Sequence, residues 1–142
     1  MDKLLIEICC GSAEDVINAQ QGGADRVELN SSLFLGGLTP TLGTLRIAKE
    51  RTTLPVMCMV RPRQGGFCYD EVDYAVAKAD AKLLLDNGSD GLVFGFLHED
   101  GTLDHERCRE LIALCEGRST VFHRAIDVVP DWKRTLSDLI DL

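Results

Sequence analysis

Short apolar runs alternate with segments of helical period along the whole chain. Leu4–Cys10 (LLIEICC) reads as a strand interrupted only by Glu7, and a helix follows from Ser12 or Ala13 to Gln21, stopped by Gly22-Gly23. Arg26–Asn30 (RVELN) is the second strand, and Gly36-Gly37 opens the loop after it. Thr39 then reads as an N-cap with Pro40 at the first helical position, where a preset φ helps and the missing N–H costs nothing. That helix extends to Arg51, and Pro55–Pro62 (PVMCMVRP) is the third strand. Asp70 caps a helix with Val72, Ala75, Val76, Ala79 and Leu83 on one face, and Asn87-Gly88 ends it. Gly91–Gly95 (GLVFG) is the fourth strand. The helix capped by Asp104 carries Cys108, Leu111, Ile112 and Cys115 and closes at Gly117. Ser119–Ala125 (STVFHRA) is the fifth strand, and a last helix spans Asp131 to Leu142.

The strand centres recur every 21 to 34 residues, the period of right-handed βαβ units in a parallel sheet. Two architectures fit: an open doubly wound sheet of flavodoxin type, or a (β/α) barrel that lacks its last three units. Central strands of an open sheet are buried on both faces and read as near-continuous apolar runs. Here Glu7, Glu28, Arg61 and His123 interrupt them. A barrel accepts such residues near the carboxyl ends of its strands, which favours an α/β fold of the partial TIM-like barrel kind over the open sheet. Residues 1–142 form one domain of five βα units in this reading, with no linker and no low-complexity segment.

Composition narrows the function. A 142-residue chain with 45% hydrophobic and 27% charged residues has the makeup of a folded domain. Its net charge of −8 argues against nucleic acid or an anionic membrane surface as partner. The N-terminal stretch has no unbroken apolar core of the secretory kind, and nothing approaches the 20 or so apolar residues of a membrane helix, so a cytoplasmic protein is expected. Six cysteines carry no C-x-x-C spacing. Cys9 and Cys10, as strand neighbours, face opposite ways, while Cys58, Cys108 and Cys115 suit the core.

Side-chain parity gathers chemistry at the strand ends. Glu7 shares a face with Cys9, Glu28 with Asn30, Met57 and Met59 with Arg61 and Arg63, and Val121 with His123, Ala125 and Asp127. Such a set could move a proton on a small anion: Arg61, Arg63 and Arg124 hold it, and Glu28 or His123, with Glu7 and Asp127 beside them, serves as acid or base. The plainer alternative is a buried ion-pair network of Glu7, Glu28 and Arg61 that fixes the top of the barrel. No G-x-G-x-x-G, Walker loop or nucleophile elbow occurs, and Arg109 stands where a zincin helix needs its second His. The lysines, Lys3, Lys49, Lys78, Lys82 and Lys133, fall at the N-terminus or on helices, away from the strand ends a Schiff-base enzyme would use.

Six ordered motifs, IEICC with its Cys9, GGADRVEL (22–29), GGLTPT (36–41), RPR (61–63), DGLVFG (90–95) and FHRAID (122–127), resemble the copper homeostasis CutC family. The resemblance implies a TIM-like barrel in a cytosolic protein that forms homo-oligomers and binds Cu(I). It also implies a chain carrying about five of the family's eight units, with strands one and five as open edges. Cu(I) is soft and seeks sulfur. The family pattern offers one Cys in an E-[IV]-C strand, kept here as Cys9, and a second in an E-L-C strand, where this chain has Asn30. Cys10 is the other sulfur of the first motif and a second candidate ligand, and Met57 and Met59 share the inward face of strand three. The family's G-G-D-F is Gly65-Gly66-Phe67 after Gln64 here, without the acid. Two functions are therefore expected to compete: Cu(I) handling through Cys9 and Cys10, or a lyase, isomerase or hydrolase of small anionic substrates.

Overall fold

The computed structural model describes residues 4–142; Met1, Asp2 and Lys3, including the lysine expected at the N-terminus, lie outside them. Five short strands, β1 (Glu7–Cys10), β2 (Arg26–Leu29), β3 (Val56–Met59), β4 (Gly91–Phe94) and β5 (Ser119–Phe122), alternate with five helices. The helices are α1 (Ala13–Gln21), α2 (Leu42–Arg51), α3 (Glu71–Asp86), α4 (His105–Leu114) and α5 (Trp132–Ile140). All neighbouring strands are parallel, and their spatial order is their chain order, β1 to β5. A doubly wound sheet reverses its strand order at a switch point, and this one does not. It is a barrel wall left open between β1 and β5.

Strand alternation separates two apolar layers. Cys10, Val27, Leu29, Val56, Cys58, Leu92 and Phe94 face the helices and pack with Val16, Leu45, Leu84, Cys108 and Leu111. The other face carries a smaller cluster of Met57, Met59 and Val93, with Val121 against it. Because the helices contribute to the first layer, the second is free to hold polar groups where the strands end. Gly91 shows how tight that inner layer is: a Cβ there would fall 2.5 Å from the Met57 methyl.

Local chemistry sets the element boundaries, in places differently from the sequence expectation. Thr41, and not Thr39, caps α2 by accepting the Thr44 N–H at 3.1 Å. Both threonines fit the capping pattern, but the Thr39 hydroxyl is taken by the Arg61 N–H at 3.0 Å, which ties the loop after β2 to the end of β3. β1 starts at Glu7 and β3 stops at Met59, so both are shorter than the apolar runs that contain them. Two 3-10 turns, Leu33–Leu35 and Arg124–Val128, replace expected loop and strand, and the second begins where the His123 ring accepts the Ala125 N–H.

The largest revision concerns α3. Its Val72, Ala75, Val76, Ala79 and Leu83 stripe faces outward, while Tyr74, Ala77, Ala81, Leu84 and Leu85 are buried. An alanine-rich helix offers two overlapping apolar stripes, and packing chooses between them by area. Tyr74 sets its ring edge-on to Phe96 with centroids 5.4 Å apart, and its hydroxyl donates to Glu110 at 2.9 Å. Leu83 is 47% exposed and Leu84 1%. Leu84→Ala should therefore cost about 2–5 kcal/mol in urea unfolding, whereas Leu83→Ala should stay within about 0.5 kcal/mol of the parent. Equal losses would contradict the observed helix orientation.

Candidate functional site

The carboxyl ends of β1, β2, β3 and β5 surround a cavity of about 310 Å³ lined by Cys9, Glu28, Leu33, Gly36, Met59, Arg61, Phe67, His123 and Arg124. Two clefts between helices, of about 360 and 450 Å³, lie elsewhere. Their principal charges are already matched, Arg107 with Glu71 and Asp104 in one, His105 beside Asp138 in the other. The strand-end cavity is different because its cation is not matched.

Arg61 is 6% exposed and makes no ion pair among the described residues. Backbone carbonyls hold it instead. Nη1 donates to Leu35 O and Gly37 O, both at 3.0 Å, and Nη2 donates to Gly65 O at 2.7 Å. Gly36 and Gly37 have φ of +89° and +84°, the left-handed turn that brings these carbonyls round to the guanidinium. A Cβ at Gly37 would also strike the Asn30 side chain. Phe67 lies 5.3 Å from the guanidinium carbon. The Nε–H of Arg61 is buried and has no acceptor in hydrogen-bond geometry among the described residues, with the Tyr69 hydroxyl near the guanidinium likewise unpartnered there.

His123 is 8% exposed, with its ring 4.9 Å from that of Phe67. Its Nδ1 accepts the Ala125 N–H at 3.2 Å. The proton of the neutral ring therefore sits on Nε2, which is buried and without an acceptor among the described residues. Burial, aided by the positive charges of Arg61 and Arg124, lowers the His123 pKa to about 4. Gly95 makes room for the ring, since a Cβ there would stand 2.5 Å from Cε1.

Opposite these donors, Cys9, Glu28 and Asn30 form one hydrogen-bonded unit. The Cys9 thiol donates to Glu28 Oε1 at 3.1 Å, and Asn30 Nδ2 donates to the same oxygen at 3.0 Å and to Cys9 Sγ at 3.5 Å. Burial first, then the neighbouring Glu28 carboxylate, pushes the Cys9 pKa up to about 12, so the thiol is protonated at neutral pH.

Other residues expected at the site lie elsewhere or at its rim. Glu7 opens β1 at the amino end of the strand and pairs with Arg26, so the ion-pair network of Glu7, Glu28 and Arg61 does not form. Arg63 leaves the strand, pairs with Asp73, donates to the Gln64, Gly66 and Cys68 carbonyls and lies over Tyr69. It organises the loop before α3. Cys10 is fully buried on the helix-facing side, away from Cys9. Arg124 and Asp127 stand exposed at the rim, 3.9 Å apart, because the 3-10 turn ends the strand parity that would have turned Asp127 inward. Among the described residues no group of three His, Cys, Asp or Glu is placed to hold a metal ion. Phe67, Gly95 and the carbonyls of Leu35 and Gly37 escaped the sequence reading, since parity counts side chains on strands and these lie in loops or act through backbone.

The comparisons agree with this architecture. The CutC family model matches residues 4–142. A CutC family protein of Treponema denticola is 59% identical over 142 residues, covering all of this chain and 58% of that protein. The human copper homeostasis protein cutC homolog is 46% identical over 138 residues, 97% of this chain and 50% of its own length. The crystal structure of CutC from Streptococcus agalactiae superposes with a TM-score of 0.89 at 31% identity, covering 98% of this chain and 69% of that one. The chain belongs to the CutC family, has its TIM-barrel-like fold, and spans about half the length of the curated relatives it matches.

The His123 environment makes a pH prediction. Its folded pKa lies below the ordinary value of 6.5, so as pH falls the unfolded chain takes up a proton that the folded chain refuses. Stability is lost from about pH 6.5 down to about pH 4. Between pH 7 and pH 5 the loss from this group should be about 2 kcal/mol. Denaturant unfolding of His123→Asn at the two pH values should lack that increment, and an unchanged slope would refute the burial argument.

Proposed function

We propose that the strand-end cavity binds a small ligand through a negatively charged or strongly polarised oxygen, with Arg61 and His123 as donors and Glu28 as the proton-exchanging group. The observation that carries this reading is the buried Arg61 guanidinium with neutral carbonyls as its partners. Burying a charge without its opposite is costly, and an oxygen anion entering the cavity relieves that cost. The Nε2–H of His123 supports the same assignment, since it too lacks an acceptor. In this reading the protein is an enzyme of the lyase, isomerase or hydrolase kind.

The family favours a second reading, cytosolic handling of Cu(I) as cargo, because relatives carry the name of copper homeostasis proteins. Cys9, Met59 and His123 line the same cavity and offer thiol, thioether and imidazole. The thiol must lose its proton first, and Glu28 is hydrogen-bonded to it. Asn30 and the remote Cys10 leave Cys9 as the single thiol at the mouth, so this copper site would be weaker than a two-thiolate one. Homo-oligomerisation, and five units completed by further ones against β1 and β5, belong with the family reading. No helix among the described residues is long and apolar enough to cross a membrane.

Thermal unfolding separates the readings. Millimolar phosphate or small carboxylates should raise Tm by a few degrees, and Arg61→Gln should abolish that rise while still melting cooperatively. Cys9→Ser should keep the anion effect and lose any stabilisation by Cu(I). An anion effect that survives Arg61→Gln would sink the first reading, and Cu(I) binding that survives Cys9→Ser would sink the second.

A further inference from the structure

Resting on the oxygen-ligand reading, we infer that the cavity is built for proton abstraction beside a carbonyl, in a short carbonyl compound that also bears a carboxylate or phosphate. Two buried N–H groups, Arg61 Nε–H and His123 Nε2–H, have no acceptor among the described residues, and both belong to residues that line one cavity. Their characters differ in a useful way. Arg61 is a fixed cation with no carboxylate to neutralise it, so its field is available to negative charge that grows during a reaction. His123 is a neutral imidazole whose tautomer is fixed by the Ala125 N–H. It can polarise an oxygen without giving its proton away. A cationic residue and a neutral donor lining one cavity are what an enolate oxygen needs, and in a partly dry site such groups count for more than in water.

The base is Glu28, the one carboxylate that lines this cavity. Cys9 and Asn30 both hold its Oε1, which fixes the carboxylate plane. No hydrogen bond to Oε2 is made among the described residues, so that oxygen is the one free to take a proton. The step balances without a co-reactant. Glu28 Oε2 takes the proton from the carbon next to the carbonyl, and the C–H electron pair becomes the C=C bond of the enolate. The carbonyl π pair moves onto oxygen, between Arg61 and His123. Return of a proton from Glu28 to the same carbon restores the carbonyl compound, and in D₂O it does so with deuterium in place of hydrogen. Arg124, with an exposed guanidinium at the rim of the same cavity, is placed for the anionic end of the molecule. Met59 and Phe67 supply the apolar wall.

The test uses the full chain in D₂O with pyruvate and, separately, dihydroxyacetone phosphate, two compounds that differ in the anionic end. Proton NMR follows loss of the C–H signal beside the carbonyl, and calorimetry follows binding. We expect exchange with at least one of them well above the buffer rate, falling to the buffer rate in Glu28→Gln with binding retained. His123→Asn should slow it about a hundredfold or more, and cooperative melting of each variant shows that it folds. Binding of either compound without exchange would overturn the enolisation proposal and leave the oxygen-ligand reading standing. Exchange that persists in Glu28→Gln would also overturn it, by removing the base. If neither compound binds or exchanges, and phosphate leaves Tm unmoved, the reading beneath it fails as well.

Discussion

Arg61 sits where β3 ends, buried, and is held by peptide carbonyls from the loops after β2 and β3. Much of what surrounds it follows from that arrangement. Carbonyls can converge on a guanidinium only if the backbone turns sharply, and Gly36 and Gly37 supply the left-handed conformations that make the turn. Thr39 bonds to both the N–H and the carbonyl of Arg61, so the loop that carries those glycines is fastened to β3 at the same point. Its hydroxyl is then committed, and the helix cap passes to Thr41. The same loop brings Gly37 against Asn30, which orients the Cys9 and Glu28 pair. The anchoring of one cation thus links three strand ends.

The electrostatics of the neighbours follow from the same residue. Desolvation keeps His123 neutral over the ordinary range, and the buried positive charge beside it adds to the effect, since one cation disfavours a second. Across the cavity the sign reverses: desolvation first, and then Glu28, keeps the proton on Cys9. The site therefore has an unneutralised cation and a neutral donor on one side, a carboxylate and a protonated thiol on the other. That asymmetry is more informative than the count of charged residues. A structural ion-pair network would have placed Glu28 against Arg61, and the fold keeps them on different partners.

Side-chain parity was legible in the sequence and carried most of the architecture. It turned Met57, Met59 and Val121 to one face and Cys58 to the other, as the two apolar layers show. It also brought Cys9, Glu28, Arg61 and His123 to one cavity. Parity failed where the strand itself ended. Arg63 lies four residues beyond Met59 and follows its loop to Asp73. Asp127 sits in a 3-10 turn. Glu7 keeps its parity but stands at the wrong end of a strand that proved shorter than its apolar run. The face of α3 could not be read from periodicity, because alanine supports either stripe and the choice rests on what Tyr74 and Leu84 find across the interface. Backbone carbonyls as ligands to Arg61 have no signature in a residue pattern beyond the paired glycines that permit them.

Copper and carbonyl chemistry cannot use this cavity at the same time. A Cu(I) thiolate at Cys9 requires its proton to leave, and Glu28 is the acceptor already bonded to it. Once Glu28 is protonated it no longer serves as a base. The metal would also place a positive charge in the cavity that holds Arg61, whose repulsion works against the attraction of Glu28 beside Cys9. A second thiolate would offset that charge, and two residues beyond Glu28 the chain carries Asn30, which has no sulfur to give. Its amide instead donates to Glu28 Oε1. Asn30 therefore serves the two readings differently: it is no ligand for a soft metal, and it holds the carboxylate that the proton-transfer reading needs.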